Sequence, residues 1–459
     1  MSFTDFNFLF RFLPVFLIVF YLAPAKARVC LLILGSYLFY AAADPRYVLL
    51  LAVLSFLNYL FGRSVAGGSR AAFFTAVSVD LIALLAAKYA GQYVDSILLP
   101  VGMSFYLFRM LSWLCDIRPS GDGEAKREIR FTETLAYFAF FPQLLSGPIM
   151  RVGDFERASF RKEAPKERRL RKKFRDVFAR LENGLAVFIP GLAFKTLLAD
   201  HLRSMWEALY GIGYESISTP LAWLGAYSYS MELYYDFWGY SLMAAGIGIM
   251  LGAPMIENFR HPYAAAGVGD FYRRWHMTLG FFFRDYVYIP LGGSRKGWLV
   301  TVRNLAIVWL LTGIWHGVTL NYLLWAGLVL FMILLEKALA DRRSGLLPLV
   351  GRVHVLLFIP ITWVIFAIPD AERLKTYLLR LFPIVSTGGV VYDGDFVKYL
   401  ITYGIYLLFS LVFLVPCVYD YLRHHRRNPI VTILLVILFV MSLVSVSRAG
   451  DNPFLYLQF

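Results

Sequence analysis

Residues 310–325 read LLTGIWHGVTLNYLLW, and how this stretch is interpreted decides what kind of protein the chain is. It is apolar enough for the interior of a bilayer, yet His316 stands in it between Trp315 and Gly317. The surrounding apolar run, 304–336, is long enough for one tilted helix plus a second piece. A spanning helix needs about 20 apolar residues. An ionisable side chain at that depth is costly unless paired or wetted, which marks His316 as a functional candidate.

Comparable runs recur along all 459 residues, at 7–24, 29–43, 47–66, 71–90, 97–115, 184–200, 217–235, 237–254, 353–369, 397–418 and 429–447. Charged residues make up 17% of the chain. Soluble domains usually carry about 25%. Mean hydropathy is +0.60. These features predict an all-α polytopic membrane protein with about eleven transmembrane helices, 1–459 forming a single integral-membrane domain. The first run does not read as a cleaved signal, because Asp5 precedes Arg11 and no small-residue cleavage site follows. It reads as a retained helix. Cys30, Cys115 and Cys417 are scattered through apolar sequence, with neither zinc nor disulfide spacing.

The formal net charge of +14 has a simpler source than nucleic acid, which is not expected as a partner. Basic residues gather in groups: Lys26 with Arg28, Arg63 with Arg70, Arg118 to Arg130, Arg342 to Arg352, and RHHRR at 423–427. The positive-inside rule places these groups in the cytoplasm. That assignment puts both termini outside. It also makes both 116–130 and the very basic 151–180 cytoplasmic, so 131–148 is not a simple span. FPQLLSGPIM at 141–150 supplies the reason, because two prolines and a glycine break a helix there. We therefore expect re-entrant segments at 131–148 and 277–291, and a basic cytoplasmic arm at 149–183 that attracts anionic membrane lipids. Irregular backbone at membrane depth survives only against protein or a watery cavity.

Polar residues concentrate in GDFYRRWHMTLGFFFRDYVYIPLGGSRKG, Gly269 to Gly297. Asp270 and Arg274 stand four apart, a helical pairing distance, and Arg284 adjoins Asp285 as a structural ion pair. Arg273 and Arg274 either snorkel to lipid headgroups or cradle a phosphate-bearing donor, which guanidinium matches in shape. His276 is a second embedded imidazole beside them. Around His316, Thr312 and Thr319 lie at helical spacing, and either hydroxyl is a candidate to orient the ring. A buried histidine merely satisfied by a hydroxyl or carbonyl is the competing interpretation. An imidazole of ordinary pKa, ~6.5, exchanges protons near neutral pH and suits general-base work. In 230–252, Glu232 and Asp236 are four apart, and Asp236 is placed to orient a histidine or cap a half-helix. Gly248 and Gly252 form a GxxxG, a signal for close helix contact. No metal site is expected, since no carboxylate or cysteine joins the histidines at ligand spacing. Nor does the chain hold a GxSxG, HExxH or Walker pattern, or the inverted repeats of a transporter.

FLFRFLPVFLIVFYL, LGSYLFYAAADPRYVLLL, LPVGMSFYLFRMLSWLCDI, FFPQLLSGPIMR, YYDFWGYSLMAAGIGIMLG, IENFRHPY, RRWH followed by RDYVYIPLGG, LLTGIWHG and NPFLYLQF occur in that order along the chain. In these stretches the sequence resembles the membrane-bound O-acyltransferase (MBOAT) family, and within it the bacterial branch that modifies alginate and teichoic acid. The resemblance implies a helical bundle with re-entrant pieces around a central tunnel. It implies His316 of WHG as the catalytic residue and His276 of RRWH as the second. Arg273, Arg274, Trp275 and Trp315 would line the donor side, with Asp236 and Asp285 in support. It further implies acetyl-CoA as donor with no tightly bound cofactor, a polysaccharide acceptor, an extracytoplasmic SGNH-type acetyltransferase as partner, and residence in a bacterial cytoplasmic membrane. YIPLGGSRKG is more like the polysaccharide O-acetylation members than those that transfer D-alanine.

Overall fold

The structure, a computed structural model, describes residues 1–93, 100–119, 127–159, 170–339, 347–382 and 391–449. Lys126, Arg342, Arg343, positions 160–169 of the basic arm and the terminal NPFLYLQF lie outside the described residues. No β-strand occurs among those described. Two compact units form, one from Met1–Ile189 with Tyr240–Glu257, the other from Pro190–Gly239 with residues from Asn258 onward. The first holds α1 (Leu13–Leu22), α2 (Ala25–Ala43), α3 (Val48–Ala66), α4 (Arg70–Tyr93), α5 (Met103–Asp116), α6 (Phe131–Phe138) and α7 (Val152–Glu156). It also holds most of α8 (Leu170–Ala193). The second holds α9 (Asp200–Ile212), the first part of α10 (Thr219–Leu251), α11 (Val268–Arg274), α12 (Met277–Phe283), α13 (Trp298–His316) and α14 (Leu320–Leu339). It continues through α15 (Leu347–Ala367), α16 (Ala371–Leu381), α17 (Asp395–Leu414), α18 (Pro416–His424) and α19 (Pro429–Ala449).

Among the described residues eight helical stretches are long and apolar enough to cross a membrane: α2, α3, α4, α8 running on into α9, α13, α14, α17 and α19. Two shorter apolar helices, Phe8–Leu22 and Gly351–Ala367, accompany them. This is fewer than the expected eleven for identifiable reasons. The runs 217–235 and 237–254 are one uninterrupted α10 of 33 residues, because Asp236, the polar residue between them, is paired inside the protein. The run 97–115 has only 14 helical residues in α5, which starts after Gly102. Leu22, Leu49, Leu299, Ile401 and Ile430 are largely exposed, whereas Asn58, Asp80, Arg109, Lys195 and Asp236 are buried. Apolar side chains outside and polar ones inside are what a lipid surround selects.

In the first unit, 131–148 is broken as expected. Helix α6 is only two turns long, Phe131–Phe138, and far too short to cross a bilayer. It gives way to a tight turn at Phe141–Gln143. Protein atoms satisfy this irregular backbone. Arg109 is buried and donates through Nη1 to the carbonyls of Tyr137 (2.8 Å) and Phe138 (3.2 Å), while the Ser36 hydroxyl accepts from Phe141 N–H at 3.1 Å.

Helices α8 and α10 meet at paired glycines. A Cβ on Gly184 would lie 2.6 Å from the Gly246 carbonyl oxygen, and one on Gly239 would lie 2.6 Å from that of Gly191. The members of each helix are seven residues apart, two turns along one face. The expected Gly248 and Gly252 pair plays no such part. Gly252 follows the helix in a left-handed turn (φ 93°), and a Cβ on Gly248 would meet only Ala253, at 3.8 Å.

Candidate active site

The second unit brings both histidines to helix interruptions. The run 304–336 is a hairpin, α13 then α14, and His316 is the last residue of α13 rather than a mid-helix position. Its backbone ends there because Gly317 follows in extended conformation. Thr319 consequently lies beyond the break, outside helical spacing to His316, and the Thr312 hydroxyl donates to the Val308 carbonyl at 2.8 Å. Aromatic rings hold the buried imidazole instead. Trp325 and Phe366 present edges at 5.2 and 4.9 Å between centroids, Tyr322 lies at 6.1 Å, and Trp315 at 4.4 Å. Asn321 donates to the Phe366 carbonyl at 2.7 Å and so pins the start of α14 to the end of α15.

His276 stands between α11 and α12 with φ 45°. That left-handed conformation is uncommon in a non-glycine residue. The irregular segment Asn258–Arg260 holds it there: Met277 N–H donates to the Asn258 carbonyl at 2.8 Å, and Arg260 N–H to the Arg274 carbonyl at 3.0 Å. The Asn258 side-chain oxygen lies 3.1 Å from His276 Nδ1 and accepts from Thr278 N–H at 3.2 Å and the Thr278 hydroxyl at 2.9 Å. A backbone amide can only donate, so the atom facing it is the amide oxygen of Asn258. His276 Nδ1 must then carry a hydrogen, and in the neutral ring the basic lone pair is at Nε2. The Phe237 ring meets this imidazole edge-on at 4.6 Å. Trp315 links the two sites, its ring 6.3 Å from His276 and 4.4 Å from His316.

The remaining candidates divide by environment. Asp270 and Arg274 pair at 2.9 Å as their spacing predicts, and Arg273 reaches Asp270 at 3.4 Å while staying largely exposed. Arg273 is thus the more exposed of the two guanidiniums. Trp275 is buried among Phe259, Phe271 and Trp363, with centroids at 5.0, 5.5 and 5.0 Å, and serves the packing beneath α11. Asp285 is bonded to Arg284 at 2.6 and 3.1 Å, the ion pair expected there. Asp236 is held by Lys195 at 2.7 Å, and Lys195 also lies 2.8 Å from Asp200.

Three residues escaped the sequence reading. Asn258 lies within IENFRHPY but offered no sign of facing a histidine 18 residues away. Lys195 sits in an apolar run, and a π-turn over Phe194–Ala199 brings it onto one face with Asp200, five positions on. Glu336, near the end of α14, accepts from the Val268 and Gly269 amides at 2.6 and 2.9 Å. An acid closing an apolar run was the available signal for it.

The family model described as MBOAT, membrane-bound O-acyltransferase family, matches residues 72–368. Over the full length of both proteins the chain is 32% identical to "Probable alginate O-acetylase AlgI" of Pseudomonas putida. It is 28% identical to "Peptidoglycan O-acetyltransferase" of Helicobacter pylori, across 83% of this chain and 79% of that one. With "Teichoic acid D-alanyltransferase" of Bacillus subtilis it shares 30% identity, across 49% of this chain and 55% of the relative. The matched residues 72–368 contain both histidines, their helix breaks and the Asn258 support. The chain is thus a multi-pass membrane enzyme that belongs to the membrane-bound O-acyltransferase family.

Proposed function

We propose that this enzyme takes an acetyl group from acetyl-CoA on the cytoplasmic side and passes it across the membrane for O-acetylation of an extracytoplasmic polysaccharide. The observation that carries this reading is the pair of buried imidazoles at helix breaks, both of them beside the Trp315 ring. His316 acts as general base, or activates the acceptor: it takes the hydroxyl proton as the acceptor oxygen attacks the thioester carbonyl. The carbon–sulfur bond then breaks, and the thiol leaves with a proton. His276, its hydrogen held on Nδ1 by Asn258, assists on the donor side through Nε2. Arg273 and Arg274 hold the donor's phosphates. A bacterial cytoplasmic membrane with both termini outside, and an SGNH-type acetyltransferase that finishes delivery, complete the scheme.

The test is label transfer in membrane vesicles supplied with radiolabelled acetyl-CoA. A general base contributes roughly 10²–10⁴-fold, so His316→Ala should lose transfer on that scale at unchanged protein abundance. Full transfer by that variant would remove His316 from the chemistry. D-alanyl transfer from a carrier protein is the second reading, and the D-alanyltransferase relative favours it. Coverage favours acetylation, because that match spans 49% of the chain against 83% and 100% for the two acetylating relatives. Mass spectrometry of the modified polymer distinguishes the two groups.

A further inference from the structure

Helix α14 bears on both histidines, from its two ends. At its start, Tyr322 and Trp325 contact the His316 ring. Near its finish, almost four turns beyond Tyr322, Glu336 reaches the beginning of α11. Its two carboxylate oxygens accept from Val268 N–H at 2.6 Å and Gly269 N–H at 2.9 Å. These are opening amides of α11, which no carbonyl within the helix can satisfy, and the positive end of a helix favours a carboxylate. Glycine permits the approach, since a Cβ on Gly267 would sit 2.8 Å from one carboxylate oxygen and one on Gly269 3.3 Å from the other. Helix α11 then runs for seven residues and delivers Arg273, Arg274, Trp275 and His276 in succession. Midway, the Tyr272 ring meets Trp309 of α13 at 4.8 Å and Trp325 of α14 at 6.3 Å, so the same two helices flank it.

We propose that Glu336 is a positioning residue: by capping α11 from α14 it holds His276 and the donor-side arginines in register with His316. The proposal rests on the reading of the two histidines as the transfer site. Glu336 touches neither imidazole. Its effect is transmitted through one short helix, and a misplacement of about 1 Å at reacting groups is enough to cost 10²-fold in rate.

The experiment compares wild type, Glu336→Ala, Glu336→Gln and His316→Ala as full-length chains. Acetyl transfer from radiolabelled acetyl-CoA is measured per folded molecule, alongside amide hydrogen exchange of residues 266–276 in detergent. Glu336→Ala should raise exchange at Val268 and Gly269 and lower kcat by about 10²-fold. Glu336→Gln keeps one carbonyl oxygen as acceptor, and should show a smaller rise in exchange and a kcat within about tenfold of wild type. That graded rescue is not what a simple loss of folded protein produces. Unchanged exchange in Glu336→Ala overturns the proposal, as does raised exchange with wild-type kcat. Should the alanine variant not fold, the glutamine variant decides by the same two readouts. Full activity in His316→Ala would instead overturn the transfer-site reading, and the exchange measurement would still show whether the cap exists.

Discussion

His276 combines two demands in one residue, a left-handed backbone and a ring whose hydrogen is directed at Asn258. Asparagine tolerates that backbone better than most side chains, whereas a β-branched residue is a genuine outlier there. His276→Asn should therefore fold normally and lose transfer by roughly 10²–10⁴-fold, while His276→Val should in addition lose about 1–3 kcal/mol of stability. Thermal unfolding in detergent and label transfer separate these effects; a His276→Asn enzyme with wild-type rates would exclude the ring from the chemistry. Lys195 makes a different kind of prediction. It stands between the buried Asp236 and the partly buried Asp200. Lys195→Met removes the ammonium that the two share and should cost about 3–5 kcal/mol. Replacing all three together with apolar residues should recover much of that loss, because the desolvation cost disappears with the charges. A Lys195→Met protein that melts like wild type would mean the ammonium is not what stabilises α9 against α10.

At the scale of elements, sequence pattern read helix interiors better than helix ends. The apolar runs located α2, α3, α4, α17 and α19 because lipid imposes one composition along a whole span. It was less informative about 304–336, where hydropathy continues unbroken across Gly317 and only backbone geometry shows that His316 ends a helix. The pairing of Asp270 with Arg274 was legible because it lies within one helix. Asn258 and Glu336 act across 18 and 67 or more residues, a distance no local spacing encodes. The glycines of α10 show the same limit. GxxxG at 248 and 252 is the sequence signal for close packing, yet the contacts fall on Gly246 and Gly239, whose partners are in α8. Gly246→Val should thus push against the Gly184 carbonyl and Phe188, while Gly248, whose Cβ would make only an ordinary contact with Ala253, should tolerate valine better. Overpacking of that kind should lower the stability of Gly246→Val by about 1–3 kcal/mol. Unfolding midpoints of the two variants provide the check, and equal losses would contradict the glycine packing of α8 on α10.

For the whole molecule, composition and the recurrence of apolar runs pointed to the membrane class. Hydrophobic residues make up 59% of the chain and charged residues 17%, well off the usual balance of soluble domains, and apolar runs recur along its length. Orientation rests on charge. Each crossing carries the chain to the opposite side, so the basic groups at Lys26, Arg63 to Arg70 and 423–427 put short loops alternately in and out. On that scheme α1 enters, α2 leaves and α3 returns, which places the Asp44–Tyr47 connection outside and Gly67–Ser69 inside. Both connections are accessible, with Arg46 and Ser69 exposed, so single cysteines there report the side directly. The background for this test replaces Cys30, Cys115 and Cys417, two of which are exposed. In intact cells a membrane-impermeant maleimide should label Arg46→Cys but not Ser69→Cys or Arg427→Cys. After permeabilisation, all three should react. The reverse pattern would put the basic groups outside, and the proposed direction of transfer would fall with it. Labelling of Ser69→Cys and Arg427→Cys on opposite sides would instead mean an odd number of crossings from α4 through α18, and the two basic groups would then face opposite sides of the membrane.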